Sequence, residues 1–262
     1  MQAWAVVYNA SLLSEELYQR ALLLVDSDSV ARIKKFYHRA DACRTLIGRL
    51  LTRVMLKERG ISVHAMKFSA TSAGKPYITT NLKPPVGYNV THDNALIALA
   101  FAPGIHNAPA FSIGIDVMKV RLPSRETFAS FVDSVGEQLT PLEHRLLFSG
   151  ASPTEGLRRF FWMWTLKEAY TKALGVGMGF NFQRVEFDVV RKVVRIDGKI
   201  PEGWRFNLFV IRDGDDLYQG VVAEYVGGMR TEVIDITSNP NWLVVYDAVT
   251  FVKKAIDQLQ EK

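Results

Sequence analysis

The sequence predicts an α+β protein built as two similar α/β subdomains in one chain. Three observations point there. The order strand, helix, loop, strand runs through the chain twice. A stretch bounded by Pro103 and Pro109 separates the two runs as a hinge. The 262 residues, 48% hydrophobic and 23% charged, are enough to bury a substantial core in each half. No direct sequence repeat is visible, so the duplication lies in the order of elements. The expected division is 1–106, 107–230 and a tail, 231–262.

The elements follow in order. Met1 to Ala10 is apolar but short, without a basic leader or a cleavage site, and reads as a first strand. Leu17, Ala21 and Leu24 share one face, which predicts a helix over Ser14 to Leu24. A second helical stretch runs from Ser29 to Glu58, with Leu46, Leu50 and Val54 facing a core and Gly60 closing its end. Ser69 to Tyr88 is turn-rich. In Gly87 to Ala102 the second half reads as a buried strand, and Phe111 to Val117 as another. Helices are expected at Leu142 to Phe148 and Gly156 to Leu174. Strands are expected at Val185 to Val194 and Arg205 to Tyr225, the latter turning at Asp213-Gly214-Asp215. In the tail, Tyr246 to Leu259 has the pattern of an amphipathic helix. The apolar run Trp242 to Tyr246 needs cover, so the tail is expected to pack back on the body.

Bulk properties narrow the classes. Net charge is +5, a mild balance that favours anionic partners without choosing among them. The lone cysteine, Cys43, forms no internal disulfide and suits a reducing, cytoplasmic setting. It reads as a buried thiol or as a nucleophile, with no evident base beside it. No apolar run approaches the roughly 20 residues of a membrane helix. There is no G-x-x-x-x-G-K-[ST] phosphate loop, and five histidines and one cysteine never cluster at zinc-ligand spacing.

Several residues invite chemistry. Asp116 ends an apolar strand, where a carboxylate is costly unless paired, hydrogen-bonded or metal-bound. It could equally cap a turn. Trp164, Glu168 and Lys172 fall at i, i+4 and i+8, along one helix face. Glu168 and Lys172 alone could be an ordinary helix pair, but a glycine-rich exit, Gly175 to Gly179, follows them. Asn89-Val90-Thr91-His92 offers a hydroxyl and an imidazole suited to phosphate oxygens. The basic residues Arg32, Lys35, Arg39 and Arg44 form either a solvated helix face or an anion site.

Taken together and in this order, these blocks resemble the 4′-phosphopantetheinyl transferases of the larger, pseudo-dimeric monomeric type. The resemblance rests on Arg39-Ala40-Asp41, Arg44 to Arg49, and Gly74-Lys75-Pro76-Tyr77. It continues through Asn89 to His92, Gly114-Ile115-Asp116-Val117-Met118, Trp164 to Lys172 and Gly175 to Phe180. It implies that the phosphopantetheine arm of coenzyme A moves to a serine of an acidic carrier protein, with Mg²⁺, and that 3′,5′-ADP leaves. It implies Asp116 and Glu168 as metal ligands and Glu168 as proton acceptor. Lys172 and His92 would act on phosphate charge, with Thr91, Lys75 and Pro76 near the coenzyme. Arg39, Arg44 and Thr45 become candidates for its 3′-phosphate. Many members carry an acidic residue two positions after the aspartate, where this chain has Met118, a soft and poor magnesium ligand. Asp93 either fills that gap as a metal ligand or only shapes its turn. Two rival readings stand beside the enzyme. One is a degenerate member that binds coenzyme A or carriers as a scaffold. The other is a nucleic-acid module built on the basic helix.

Overall fold

The computed structural model describes residues 1–177, 179–236 and 241–260. Met178 of the glycine-rich exit and parts of the tail lie outside them. The first half runs β1 (Gln2–Val7), α1 (Glu15–Leu22), α2 (Ser27–Ile33), α3 (Arg39–Lys57), a small hairpin of β2 (Phe68–Ala70) and β3 (Pro76–Ile78), then β4 (Val86–Asp93) and β5 (Leu96–Pro103). The second runs β6 (Ile113–Lys119), α4 (Phe128–Val135), α5 (Pro141–Phe148), α6 (Pro153–Leu174), the hairpin β7 (Val185–Asp188) and β8 (Val193–Ile196), then β9 (Glu202–Asp213) and β10 (Asp216–Arg230). Three more elements follow: β11 (Glu232–Ile236), β12 (Leu243–Asp247) and α7 (Ala248–Leu259).

The duplication is real in the topology. In each half a strand leads to a long helix and then to an antiparallel hairpin whose second strand pairs with the first. That gives β1, α3, β4 and β5 in one sheet and β6, α6, β9 and β10 in the other. The fourth strands break the symmetry. β12 adds parallel to β1, whereas β11 adds parallel to β9.

Period-two alternation explains the layering. On β1 and β5, Trp4, Val6, Ile97, Leu99 and Phe101 pack against α1, α3 and α7. The intervening Ala3, Ala5, Ala98, Ala100 and Ala102 face the second sheet, meeting Ile113, Ile115, Phe209 and Val222. These small side chains leave room for bulky ones opposite, so the two sheets form the middle layers between two helical layers. The far face of the second sheet carries Phe206, Leu208, Val221 and Ala223, which pack with α6 residues such as Phe161, Met163 and Leu166.

Some expectations were revised. The single helix expected over 29–58 is two, because α2 stops at Ile33 and α3 restarts at Arg39. No glycine or proline marks the break. Tertiary contact does: Arg39 pairs with Glu15 at 2.7 Å and stacks over the Tyr18 ring, fixing the start of α3 on α1. The first half of Gly87 to Ala102 is a strand as well, β4. The strand expected over 185–194 is a hairpin, turned by Lys192 at φ 55° and by the Asp188 carboxylate, which accepts from the Arg191 N–H. Where it is described, the stretch 231–262 packs onto both halves. β11 extends the second sheet, while β12 and α7 complete the first half, with Phe251, Val252 and Ile256 buried in its core.

One contact sets the position of α6. A side chain on Gly114 of β6 would run into the Ala169 carbonyl oxygen and the Ala173 amide of that helix. Gly114→Ala is therefore expected to destabilise the protein by about 1–3 kcal/mol or more through overpacking. Urea unfolding checks this, and a stability within error of the parent would show that α6 does not need the glycine.

Candidate active site

The two sheets meet edge to edge at β4 and β6, and side chains span the seam. Asn89 accepts from the Ile115 N–H at 2.9 Å, Thr91 donates to Asp116 at 3.1 Å, and Asp93 accepts from the Lys119 N–H at 2.7 Å. These three residues alternate along β4, so one face supplies all of them. Asp116, two residues beyond Gly114, points to the same side of β6 and so toward α6.

The helix answers with its own face. Lys172 Nζ donates to Asp116 Oδ1 at 2.7 Å and to Thr91 Oγ1 at 3.1 Å. Glu168 lies one turn earlier, close enough that the Asp116 charge adds to burial in pushing its carboxyl up. Asp116 is buried, which raises its own carboxyl, while Lys172 and Thr91 pull it back part of the way. Its second oxygen, Oδ2, is buried with no hydrogen-bond partner. A bare carboxylate oxygen in such a place is costly. Beside Glu168 it is the donor chemistry that Mg²⁺ takes, since that ion commonly binds one or two carboxylates together with substrate phosphates.

Asp93 lies on the same face of β4, two residues beyond Thr91. Its Oδ2 is held by the Lys119 N–H and by the Asn94 side-chain amide at 2.9 Å, and among the described residues no group of three or more metal-capable side chains forms. This contact is the turn-shaping role that the sequence offered for Asp93, and its charge also reaches Asp116, whose carboxyl it raises.

Two hollows flank this centre. The larger, about 810 Å³, is lined by Arg32, Arg44, Thr45, Arg49 and Arg53 from the first half, with Phe68, Gly74, Pro76, Val90 and His92. Arg44 is braced by Asp41 and the Asn94 carbonyl, and Arg53 by Asp26 at 2.5 Å. His92 stands at its mouth. Partial burial, then the nearby Arg44 and Lys172 charges, hold its imidazole below the ordinary value. The smaller hollow, about 370 Å³, is lined by Gln138, Trp164, Glu168, Thr171, Lys172, Phe180 and Phe182.

The structure thus gathers Asp116, Glu168, Lys172 and Thr91, and places Arg44, Thr45, Pro76 and His92 around the larger hollow. Two expected coenzyme contacts, Arg39 and Lys75, join neither group. Arg39 is spent on Glu15 and Tyr18. Lys75 is buried, its ammonium donating to the Phe111 carbonyl at 2.5 Å and the Ala173 carbonyl at 2.7 Å. Burial pushes that ammonium down to about 8. Sequence reading passed over Arg49 and Arg53, although their spacing of four and eight from Thr45 puts them on one helix face. It also gave no role to Asn89.

Behind Glu168 sits a buried ion pair. Lys167 donates to Glu143 at 2.6 Å and to the Gln138 carbonyl at 2.9 Å. Glu143 also accepts from the Thr140 and Phe187 N–H groups. Burial drives both partners toward their neutral forms, and their contact draws them back. The pair ties α5 and β7 to α6.

A two-half α+β protein with a carboxylate pair beside an arginine-lined hollow is the class this geometry defines, and the comparisons say which reaction that class performs. The "4'-phosphopantetheinyl transferase, N-terminal" family matches residues 13–104, and the "4'-phosphopantetheinyl transferase superfamily" matches residues 112–220. The chain is similar to the 4'-phosphopantetheinyl transferase pptA of Paxillus involutus, 47% identical over 264 residues, covering 99% of this chain and 100% of the relative. It is 31% identical to the L-aminoadipate-semialdehyde dehydrogenase-phosphopantetheinyl transferase of Rattus norvegicus, over 78% of this chain and 69% of that one. It is 28% identical to the 4'-phosphopantetheinyl transferase of Bacillus subtilis, over 83% and 89%. The chain belongs to the 4′-phosphopantetheinyl transferases, enzymes whose substrates are coenzyme A and a carrier protein. Among the described residues no helix is long and apolar enough to cross a membrane.

Removing one partner of the Lys167–Glu143 pair strands a buried charge. Lys167→Met and Glu143→Gln are each expected to cost about 3–5 kcal/mol, while the double variant Lys167→Met/Glu143→Gln costs less than the two losses together. A thermodynamic cycle from denaturant melts reads this directly. Additive losses would mean that the two side chains act independently.

Proposed function

We propose that the chain carries out Mg²⁺-dependent transfer of 4′-phosphopantetheine to a carrier serine, releasing 3′,5′-ADP, with Asp116, Glu168 and Lys172 as its working residues. The observation that carries this reading is the unpartnered, buried Asp116 Oδ2 beside Glu168. Mg²⁺ bound to these two carboxylates would supply charge stabilisation for the leaving pyrophosphate oxygen. With Met118 offering no hard ligand, substrate phosphates and water complete the donor set.

The chain's residues divide the remaining work. Arg44, Arg49 and Arg53 fit the anionic phosphates of coenzyme A in the larger hollow, with Thr45, Pro76 and His92 on its wall. Lys172 draws the buried Asp116 carboxyl back toward its ionised form and lends positive charge beside the pyrophosphate. The carrier serine enters by the smaller hollow, where Glu168 is open to it. Glu168 accepts the serine proton, directly or through water, as Oγ attacks the phosphorus bearing the pantetheine arm. The bond from that phosphorus to the bridging oxygen breaks, and 3′,5′-ADP leaves with the electron pair.

The net charge of +5 suits carriers that are acidic around their serine. Mammalian relatives are named for L-aminoadipate-semialdehyde dehydrogenase, so carriers of that kind join acyl carriers as targets. Because residues from both halves of one chain build the centre, we read the protein as an active monomer. The single, buried cysteine suits a cytoplasmic setting.

Intact mass spectrometry of an apo-acyl carrier protein incubated with the enzyme, coenzyme A and Mg²⁺ should show a gain of one phosphopantetheine arm. Chelator or Asp116→Ala should reduce the rate by about 100-fold or more. A full rate in Asp116→Ala would refute the metal assignment. Because burial raises both carboxyls, and the Asp116 charge raises that of Glu168 further, protons compete with Mg²⁺ above the ordinary carboxylate range, so the Mg²⁺ concentration for half-activity should climb as pH falls. A flat requirement from pH 8 to about 5 would argue against two ligating carboxylates. Arg49→Ala should weaken coenzyme A binding by about tenfold, whereas Arg39→Ala should leave it within about twofold. Calorimetry of both variants tests the hollow as the coenzyme site.

A further inference from the structure

We propose that Lys75 is a positioning residue, a strut that fastens the wall of the coenzyme A hollow to the two elements bearing the catalytic groups, and not a phosphate ligand. This rests on the reading of Asp116, Glu168 and Lys172 as the working residues.

The geometry starts with the loop before β3. The Gly74 N–H donates to the Thr71 carbonyl, the Lys75 N–H to the Thr71 hydroxyl, and the Thr71 N–H to the Lys75 carbonyl. Gly74 takes φ 86°, which favours glycine. This closed turn fixes the direction of the next side chain. Gly74 and Pro76 face the larger hollow, while the Lys75 side chain leaves on the other side and is 6% exposed.

Its two acceptors matter because of where they lie. Ala173 is in the last turn of α6, one residue after Lys172 and five after Glu168. Its carbonyl is among the final four of the helix, which have no partner within it. A cation there also meets the negative end of the helix dipole. Phe111, at φ 51°, lies two residues before β6, the strand of Asp116. One ammonium therefore holds the exit of the catalytic helix and the entrance of the catalytic strand to a loop that lines the coenzyme hollow.

The helix exit is shaped for this strut. Gly175 ends α6 in the left-handed region at φ 69°. A Cβ built there would lie 2.8 Å from Lys75 Cδ and 3.3 Å from Lys75 Cβ. The missing side chain is the channel through which the lysine stem runs. Gly177, two residues on, packs near the Ala73 carbonyl.

A strut and a ligand predict opposite kinetic patterns. If Lys75 only positions, Lys75→Met should lower kcat by about tenfold or more while the dissociation constant for coenzyme A changes less than about threefold. Lys75→Arg, which can still reach carbonyls, should recover part of the lost kcat. Gly175→Ala, which leaves the charge but crowds the stem and strains the left-handed helix end, should reproduce the kcat loss with coenzyme A binding still changed less than about threefold. The double variant Gly175→Ala/Lys75→Met should lose no more than either alone. A dissociation constant raised about tenfold at unchanged kcat would make Lys75 a phosphate ligand and overturn the proposal. A full kcat in both Lys75→Met and Gly175→Ala would overturn it too. If Lys75→Met does not fold, the comparison of Gly175→Ala with Lys75→Arg carries the same test. Asp116→Ala run alongside separates the two readings, since wild-type activity there would sink the metal site and leave the Lys75 comparison intact.

Discussion

The close approach of α6 to β6 is the constraint on which the site depends. At Gly114 the helix backbone occupies the space a side chain would need. With no Cβ between them, strand and helix lie near enough for Lys172 to reach Asp116 and for Glu168 to feel its charge. A wider separation would leave Asp116 buried without a cation, which the low-dielectric interior does not tolerate. The glycine and the aspartate two residues later thus form one device: the first brings the helix in, and the second uses it.

The seam between the halves has the same character. β4 and β6 are not joined by a backbone ladder. Asn89, Thr91 and Asp93 reach across from alternate positions and satisfy donors and an acceptor on β6. Such a seam holds the halves in register and leaves Thr91 as the contact between them at the centre itself. The anion hollow belongs chiefly to the first half and the carboxylates to the second. The tertiary arrangement must therefore fix both halves before either hollow or carboxylates have chemical meaning. The buried Lys167–Glu143 pair and the Lys75 contacts brace α6 from its two other sides.

Much of this was legible in the chain. Period-two and helical patterns gave β1, the α3 core face, β5, β6, α6 and the β9–β10 hairpin, because each buries one regular face. The elements missed are those whose identity is decided elsewhere. β4 carries polar residues at the seam and lacks a clean apolar alternation. The break between α2 and α3 has no glycine or proline and arises from Arg39 docking on α1. In the tail α7 was legible from its amphipathic pattern, but β12 was not, because its partner β1 lies at the other end of the chain.

The sequence by itself determined the duplicated order of elements, the aspartate at the end of a buried strand, the Glu168–Lys172 helix face and the family to which they correspond. These are local facts, set by spacing along one strand or one helix. Only the tertiary structure decided where the charged side chains are spent. Arg39, Arg44, Arg49 and Arg53 lie on one helix, yet three face the hollow and one serves a neighbouring helix. Lys75 sits in a motif that resembles a coenzyme contact, yet its ammonium is satisfied by two backbone carbonyls. The physical reason is that a charged group takes its role from the partners within a few ångströms of it. Those partners come from parts of the chain that spacing alone does not bring together.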